Sequence, residues 1–525
     1  MLCSCVRQTD LPHASRLFLD AVYQPDRIAR FYANRRHDFA AVLEAARQAA
    51  NFPDARRAAL VAALRQENPG SASLDRLAEP GTVAVVTGQQ VGLFSGPSYT
   101  IYKALTAVKL AEALSKEGIP AVPIFWLATE DHDFAEVNHA WIFDGAHNPV
   151  KLEMRRTAGA QPAGDVTLVS PPLRELREQL RGLPFGEEVT DLVEGSYRPG
   201  STMGKAFGEL LRQILSDFDV LQVNPMLPAF RELAAPILRT AVEHGRDLVE
   251  GVLARNQELT AAGYHAQVHV ETGTSFVFLL EEGKRLALRR HNDDYVYNSR
   301  RFSTAELMDR AVSLSPNALL RPVVQDSMIP TAAYIGGPAE LAYLAQSEVV
   351  YKALLGRMPA ALPRCGFTLL DERASKLLAR YGLGLPDFFH GEEVLRERMA
   401  AKLVPPALNA ALEKTAATID GALDHLRQEI ARFDPTLAVA LERSSRKIRY
   451  QIGKIERKTG REAIRRDARA GRDAGYLYGL IYPERHLQER LYSILPFLAK
   501  HGTGLAGRLY QAVDLHCPDH RLVVV

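Results

Sequence analysis

One stretch near residue 80 restricts the fold of this chain more than any other. VAVV, residues 83–86, is a short apolar, β-branched run of the kind found in a buried parallel strand. A glycine-bearing loop, GQQVGLFSGPS, follows it, and YTIYKALTAVKLAEALSKEG then reads as one helix. Ile101, Leu105, Val108, Leu110 and Leu114 fit a 3.6-residue period, and Gly118 fits the residue just past a helix end. AVPIFWLA is a second strand. A strand-helix-strand unit of this type requires a right-handed crossover and a parallel sheet, so the expected fold class is α/β.

The chain is too long for one such sheet. Its 525 residues suggest two to four domains at roughly 150 residues each. Residues 1–80 read as a helical segment joined to the core, through PDRIARFY and HDFAAVLEAARQAANFPDARRAALVAALRQEN. Residues 81–145 form the first part of the core, and 146–200 a connective insertion of weaker pattern, with KLEMRRTAGAQPAGDVTL as strand and turn. The core continues over 201–262, where VLQV is a strand and a helix runs from Leu227 to about Ala262. Residues 263–315 alternate apolar and polar around an EEG turn, which predicts a small antiparallel β-meander. Residues 316–400 return to the core with a strand end, a Gly-Gly-Pro turn, a helix and a last strand near PRCGFTLLD.

Residues 401–472 differ. Leu408, Leu412, Thr415, Ile419, Leu423, Leu426, Ile430 and Phe433 step by three and four. Asp434-Pro435 supplies an N-cap and a first-turn proline for a new helix, in which Leu441, Ile448, Ile452 and Ile455 keep the same frame. The pattern predicts an antiparallel coiled-coil hairpin that buries its stripe within itself or against a second copy. Residues 473–525 form a C-terminal segment returning toward the body.

Composition narrows the function. A net charge of +2 gives no global field toward nucleic acid or membrane. The N-terminus has no sustained apolar stretch of signal-peptide type, and no run approaches 20 apolar residues, so a cytoplasmic chain is expected. Cys3, Cys5, Cys365 and Cys517 do not make a disulfide framework, and no closed metal-ligand spacing occurs, so no metal is expected.

Three constellations could carry chemistry. In the first loop, Gly92, Gly96 and Pro97 permit close approach of a ligand. Thr87, Gln89, Gln90, Ser95, Tyr99 and Thr100 can supply hydrogen bonds there, and Lys103 a point charge, at a helix N-terminus suited to an anion. The spacing is neither G-x-G-x-x-G nor G-x-x-x-x-G-K-[ST]. The second strand ends in TEDHDFAEVNH, which gathers Glu130, Asp131, His132, Asp133, Glu136 and His139 at the carboxyl end where open α/β sheets bind ligands. An imidazole flanked by carboxylates suits a general acid or base, and His132 with Asp133 is the expected proton-handling pair. The third is RPVVQDSMIPTAAYIGGPAELAYLAQ, where Gln325, Asp326, Thr331, Tyr334 and Glu340 surround Gly336 and Gly337. Separately, twelve Arg and Lys lie between Arg443 and Arg472, either as a solvated coiled-coil face or as a polyphosphate site.

The blocks TGQQVGLFSGPSYTIYKA, FWLATEDHDFAEVNH, RPVVQDSMIPTAAYIGGPAELAYLAQ, PRCGFTLLD and HLQERLYSILPFL occur in this order over nearly the whole chain. Together they resemble the bacillithiol biosynthesis cysteine-adding enzyme (BshC) family. The resemblance implies a Rossmann-like core of the class I nucleotidyl-transferase and synthetase type, with inserted connective segments and a C-terminal coiled coil that forms a homodimer. It implies an amide-forming ligase with L-cysteine and glucosaminyl-malate as partners, and ATP or ADP as the expected cofactor, because an amide needs an activated carboxyl group. The first loop reads GLFSGPSYTIYK where synthetase-like cores carry HIGH, and the nearest KMSKS-like run, KIERKTG, falls in the coiled coil. Two other classes stay open: a synthetase-like RNA- or nucleotide-binding protein acting through the 443–472 helix, although nucleic acid is not the expected partner, and a Mg²⁺-dependent nucleotide hydrolase using TEDHD.

Overall fold

The computed structural model describes residues 3–34, 37–155, 160–466 and 468–525, without the side chains of Cys3, Arg461, Ile464, Arg465, Arg466 and Ala468. Part of the expected 146–200 turn and part of the basic helix therefore fall outside the described residues. The chain divides into two compact units, Met1–Leu369 with Leu487–Val525, and Leu370–His486.

The first unit is organised by five strands: β1 (Val83–Gln90), β2 (Ala121–Ala128), β3 (Leu221–Val223), β4 (Thr331–Gly336) and β5 (Ala360–Pro363). They pair in the order β5-β4-β1-β2-β3, and every pairing is parallel. This is the Rossmann-type order, whose direction of winding reverses between β1 and β4. Both sheet faces are covered, as an all-parallel sheet requires. Val83 and Val85 pack with Ala107, Leu110 and Leu114 of helix α1 (Tyr99–Lys116). Ala84 and Val86 turn to the other face, against Leu60, Leu64 and Leu238. The period-two alternation of strand side chains assigns the two cores.

The expected meander between 263 and 315 forms as Thr274–Glu281, Lys284–His291, Asp294–Tyr297 and Arg300–Ser303, all antiparallel. Its first turn is Glu282-Gly283, both at positive φ (50° and 71°), the conformation of a tight two-residue hairpin. A fifth strand, Leu314–Pro316, folds back on Thr274–Glu281.

Two expectations change. The helix expected from Leu227 to Ala262 is broken at His244 into Pro228–Glu243 and Gly245–Ala261. Tyr295 of the meander lies at the break and donates its hydroxyl to the Val242 carbonyl at 3.0 Å. A Cβ on Gly245 would stand 2.5 Å from that hydroxyl, so glycine admits the tyrosine that takes over a helix-end carbonyl. Secondly, RPVVQDSM, expected to approach a strand end, is helix α2 (Arg321–Met328) ahead of β4. Helix α3 (Pro338–Leu354) follows β4, with Pro338 at its first position.

The second unit contains the hairpin, α4 (Pro406–Phe433) and α5 (Pro435–Arg466). Asp434 makes the turn, accepting from Thr436 N at 2.8 Å and Thr436 Oγ1 at 2.7 Å. Arg449 pairs with Asp420 across the two helices at 2.6 Å. Leu408, Leu426, Phe433, Ile448 and Ile455 of the stripe stay exposed.

Within the first unit, Arg364 donates twice to Glu489, at 2.8 and 2.6 Å, with both side chains buried. Glu489 also accepts from Phe367 N at 3.0 Å. The pair fastens the chain after β5 to the C-terminal helix Gln488–Leu491. Removing one partner of a buried pair typically costs about 3–5 kcal/mol. Glu489→Ala is therefore expected to lower the stability of the first unit by about that amount, read from urea unfolding followed by tryptophan fluorescence.

Candidate functional site

A cavity of about 550 Å³ opens at the carboxyl ends of β1, β2 and β4, where the winding reverses. Such a switch point is the ligand crevice of open α/β sheets. Two clusters of side chains face it, one beneath each side of the reversal.

The first joins α1 to α3. Lys103, 3% exposed, donates its Nζ to Gly88 O at 2.9 Å and Gln89 Oε1 at 3.0 Å, and forms an ion pair with Glu340 Oε2. Glu340 accepts in addition from Gly337 N at 2.7 Å and Tyr334 OH at 2.6 Å. Burial pulls the Lys103 ammonium below its ordinary range, with Glu340 opposing. Burial pushes Glu340 up, but Lys103, the Gly337 N–H and Tyr334 outweigh it and hold the carboxyl below 4.5. Arg321, from α2, reaches the hydroxyls of Tyr334 and Tyr343, both at 3.4 Å, and donates to Gln325 Oε1 at 2.9 Å.

The second cluster is where TEDHD meets the antiparallel sheet. Glu130 is buried and accepts from Ser315 Oγ at 2.8 Å, with Arg231 at 3.5 Å. Asp131 accepts from Gln90 Nε2 at 2.7 Å and from the His132 N–H at 2.7 Å, with Arg285 NH1 at 3.4 Å. Gln90 also reaches Glu136 at 2.9 Å. Burial works to raise Asp131, but Gln90, Arg285 and two backbone N–H groups hold it below 3.8. Burial and Arg285 pull the His132 imidazole below its ordinary range, against Asp131 and Asp133, which favours its neutral form. Its ring lies 5.6 Å from that of Phe278.

Of the residues singled out in sequence, Gln89, Gln90, Tyr99, Lys103, Glu130, Asp131, His132, Glu136, Tyr334, Gly337 and Glu340 line the cavity. Asp133 does not: it is exposed, and the carboxylate beside His132 is that of Asp131. The 92–100 loop makes several bonds to distant parts of the chain. Gly92 O accepts from Tyr197 OH, Ser95 Oγ meets Ser493 Oγ at 3.3 Å, and Ser98 N and Oγ both donate to Tyr492 O. A Cβ on Gly92 would stand 2.9 Å from Gly96 Cα, so these glycines let the loop approach itself. Thr100 is buried behind it, and Thr87 donates to Ile335 O at 2.8 Å inside the sheet. The Gly92 and Gly96 N–H groups donate within the loop, to Gln90 O and Leu93 O, whereas the buried Thr100 Oγ1 has no hydrogen-bond partner among the described residues. Gly336 lies outside the cavity lining, and so do Gln325 and Asp326. Asp326 is buried and bonds Gln325 and Tyr351, and burial pushes its carboxyl up. Among the described residues, no three His, Cys, Asp or Glu side chains converge to hold a metal ion.

Sequence reasoning missed the arginines. Arg285, Arg321, Arg364 and Arg490 all line the cavity. Three of them sit in or beside stretches already singled out: Arg321 opens RPVVQDS, Arg364 lies in PRCGFTLLD, and Arg490 lies in HLQERLYS. Arg285 had no such signal, because it comes from the meander.

A Rossmann-like parallel sheet with a polar cavity at its switch point, followed in the chain by a helical hairpin unit, defines an α/β protein with a helical C-terminal unit. Sequence comparison carries the assignment further. Residues 1–365 match the N-terminal Rossmann-like domain of bacillithiol biosynthesis BshC, and residues 367–525 its C-terminal coiled-coil domain. A protein of Solibacter usitatus named "Putative cysteine ligase BshC" is 66% identical over the full length of both chains. One of the same name from Koribacter versatilis is 35% identical, again over both full lengths, and one from Chlorobaculum tepidum is 32% identical over 89% of each chain. The chain belongs to the BshC family. Among its described residues, no helix is long and apolar enough to cross a membrane.

The Lys103–Glu340 pair has a defined pH signature. A carboxyl held below its unfolded value contributes stability at pH above about 4.5, and that contribution is lost as pH falls through the depressed folded value. Wild-type urea midpoints should therefore drop between pH 5 and roughly pH 3 more steeply than those of Glu340→Gln, which has no carboxyl to protonate.

Proposed function

We propose that this chain is a cysteine ligase of bacillithiol biosynthesis, joining the carboxyl carbon of L-cysteine to the amine of glucosaminyl-malate. The observation that carries the reading is the convergence of both clusters on one cavity in a chain of the BshC family. Amide formation between these partners requires an amine, a carboxyl group and further carboxylates to be held together. Asp131 and Glu136 supply negative charge for the sugar ammonium at the end of β2. Arg321 and Arg490 supply positive charge for carboxylates, and no carboxylate is seen within ion-pair distance of either among the described residues. Lys103 is committed to Glu340, Gly88 and Gln89, which suits it to shaping the cavity floor.

A nucleotide is the chemically expected activator of the cysteine carboxyl, because an amide needs an activated carboxyl group. We infer also that two copies associate through the hairpin, on the support of its exposed Leu408, Leu426, Ile448 and Ile455. Sedimentation should give twice the 58.0 kDa chain mass, and a Leu426→Glu, Ile448→Glu double variant should give the single mass.

The direct test is incubation with cysteine and glucosaminyl-malate, with and without ATP, followed by mass detection of the thiol product. Product in either arm supports the ligase, and the two arms fix the nucleotide requirement. No product in both arms overturns it. Replacing His132 by Ala should reduce turnover by about 10²–10⁴, the usual contribution of one proton-handling or charge-stabilising group. Arg321→Met should raise KM for glucosaminyl-malate at least tenfold with kcat less affected, the pattern of lost substrate binding.

A further inference from the structure

The meander brings the Arg285 guanidinium to the cavity wall, beside the Phe278 ring. Arg285 is held from three sides: Nε donates to Ser315 Oγ at 3.0 Å, NH2 donates to Pro316 O at 2.7 Å, and the group lies over the Phe278 ring at 3.9 Å. Its remaining nitrogen, NH1, stands 3.2 Å from His132 Nδ1. A guanidinium has only donors and stays protonated, so the imidazole nitrogen facing it must offer a lone pair. The single proton of a neutral imidazole then sits on Nε2.

The competing arrangement is the one in which a carboxylate takes the Nδ1–H and frees the Nε2 lone pair as a base. Asp131 is the available carboxylate, but its Oδ1 is 3.7 Å from Nδ1, outside hydrogen-bond range. That oxygen already accepts from the His132 backbone N–H at 2.7 Å. The charged groups around the ring are Asp131 and Asp133 on its own turn and Arg285 from the meander. Only Arg285 is within hydrogen-bond distance of Nδ1.

We propose that Arg285 is a positioning residue that fixes His132 as a neutral Nε2–H donor, and that His132 gives this hydrogen bond to a carboxyl oxygen of the bound substrate instead of removing a proton. The identity of that oxygen rests on the ligase reading, whereas the tautomer does not. His132 thus belongs with preorganised donors that meet charge on oxygen. The expectation of a His132–Asp133 base is replaced by an Arg285–His132 donor.

Two measurements test this. Histidine-selective ¹⁵N labelling of the full chain, with the His132 signal among 15 histidines identified by its loss in His132→Gln, should show an unprotonated Nδ1 and a protonated Nε2 from pH 6 to 8. In Arg285→Gln the same ring should titrate at higher pH, because burial alone then opposes Asp131 and Asp133, and Arg285→Lys should restore part of the difference. In product formation, His132→Gln keeps an amide N–H near the Nε2 position. It should retain at least tenfold more turnover than His132→Ala, whereas loss of a base would leave both equally poor. A protonated Nδ1 in the wild-type chain, or equal activity in the Gln and Ala variants, overturns the proposal. Absence of product from the wild type would refute the ligase reading alone, since the tautomer is read without turnover. A misfolded Arg285→Gln variant leaves the wild-type spectrum decisive.

Discussion

The ion pair of Lys103 with Glu340 is the contact on which the site depends. It spans the one place where a Rossmann-type sheet leaves a gap, between the helix after β1 and the helix after β4. A buried ammonium and a partly buried carboxylate there lose much of their hydration, a cost repaid only if the remaining donors and acceptors are also met. They are: Gly88 O and Gln89 take the ammonium, and Gly337 N and Tyr334 OH serve the carboxylate. The result is a rigid polar floor whose position follows from the strand order. Tyr334 passes the constraint on to Arg321 through its hydroxyl.

The second half of the cavity comes from outside the parallel sheet. A strand end can offer side chains from one turn only, and TEDHD supplies carboxylates and an imidazole with no cation of its own. The antiparallel insertion provides one, and its fifth strand, Leu314–Pro316, sets Ser315 and Pro316 to hold the guanidinium in place. The insertion is therefore part of the site wall. Its hairpin turn and its packing at the His244 helix break fix where Arg285 can reach.

The two glycine-bearing segments show how alike local patterns diverge. The first loop has the composition of an anion site, but its Gly92 carbonyl and its Ser98 and Ser95 hydroxyls are engaged by Tyr197, Tyr492 and Ser493, from segments about 100 and 400 residues away. The Gly-Gly-Pro turn keeps its Gly337 N–H for a side chain that faces the cavity. Both look like polar turns at strand ends; long-range packing decides which one is spent on architecture.

Local pattern was enough for the parallel sheet, because VAVV and AVPIFWLA can be buried on both faces only in such a sheet. It was enough for the hairpin, whose period and Asp434-Pro435 turn depend on neighbours in sequence. It also placed eleven cavity residues at or just beyond the ends of β1, β2 and β4, since ligand crevices follow from strand direction. Tertiary structure alone decided that Asp131, and not Asp133, stands at the cavity beside His132, because Gln90 and Arg285 from other elements hold Asp131 there. It alone brought in Arg285, which lies 153 residues from His132 in sequence. Periodicity reports which face of an element is buried; it carries no information about which distant side chain arrives there.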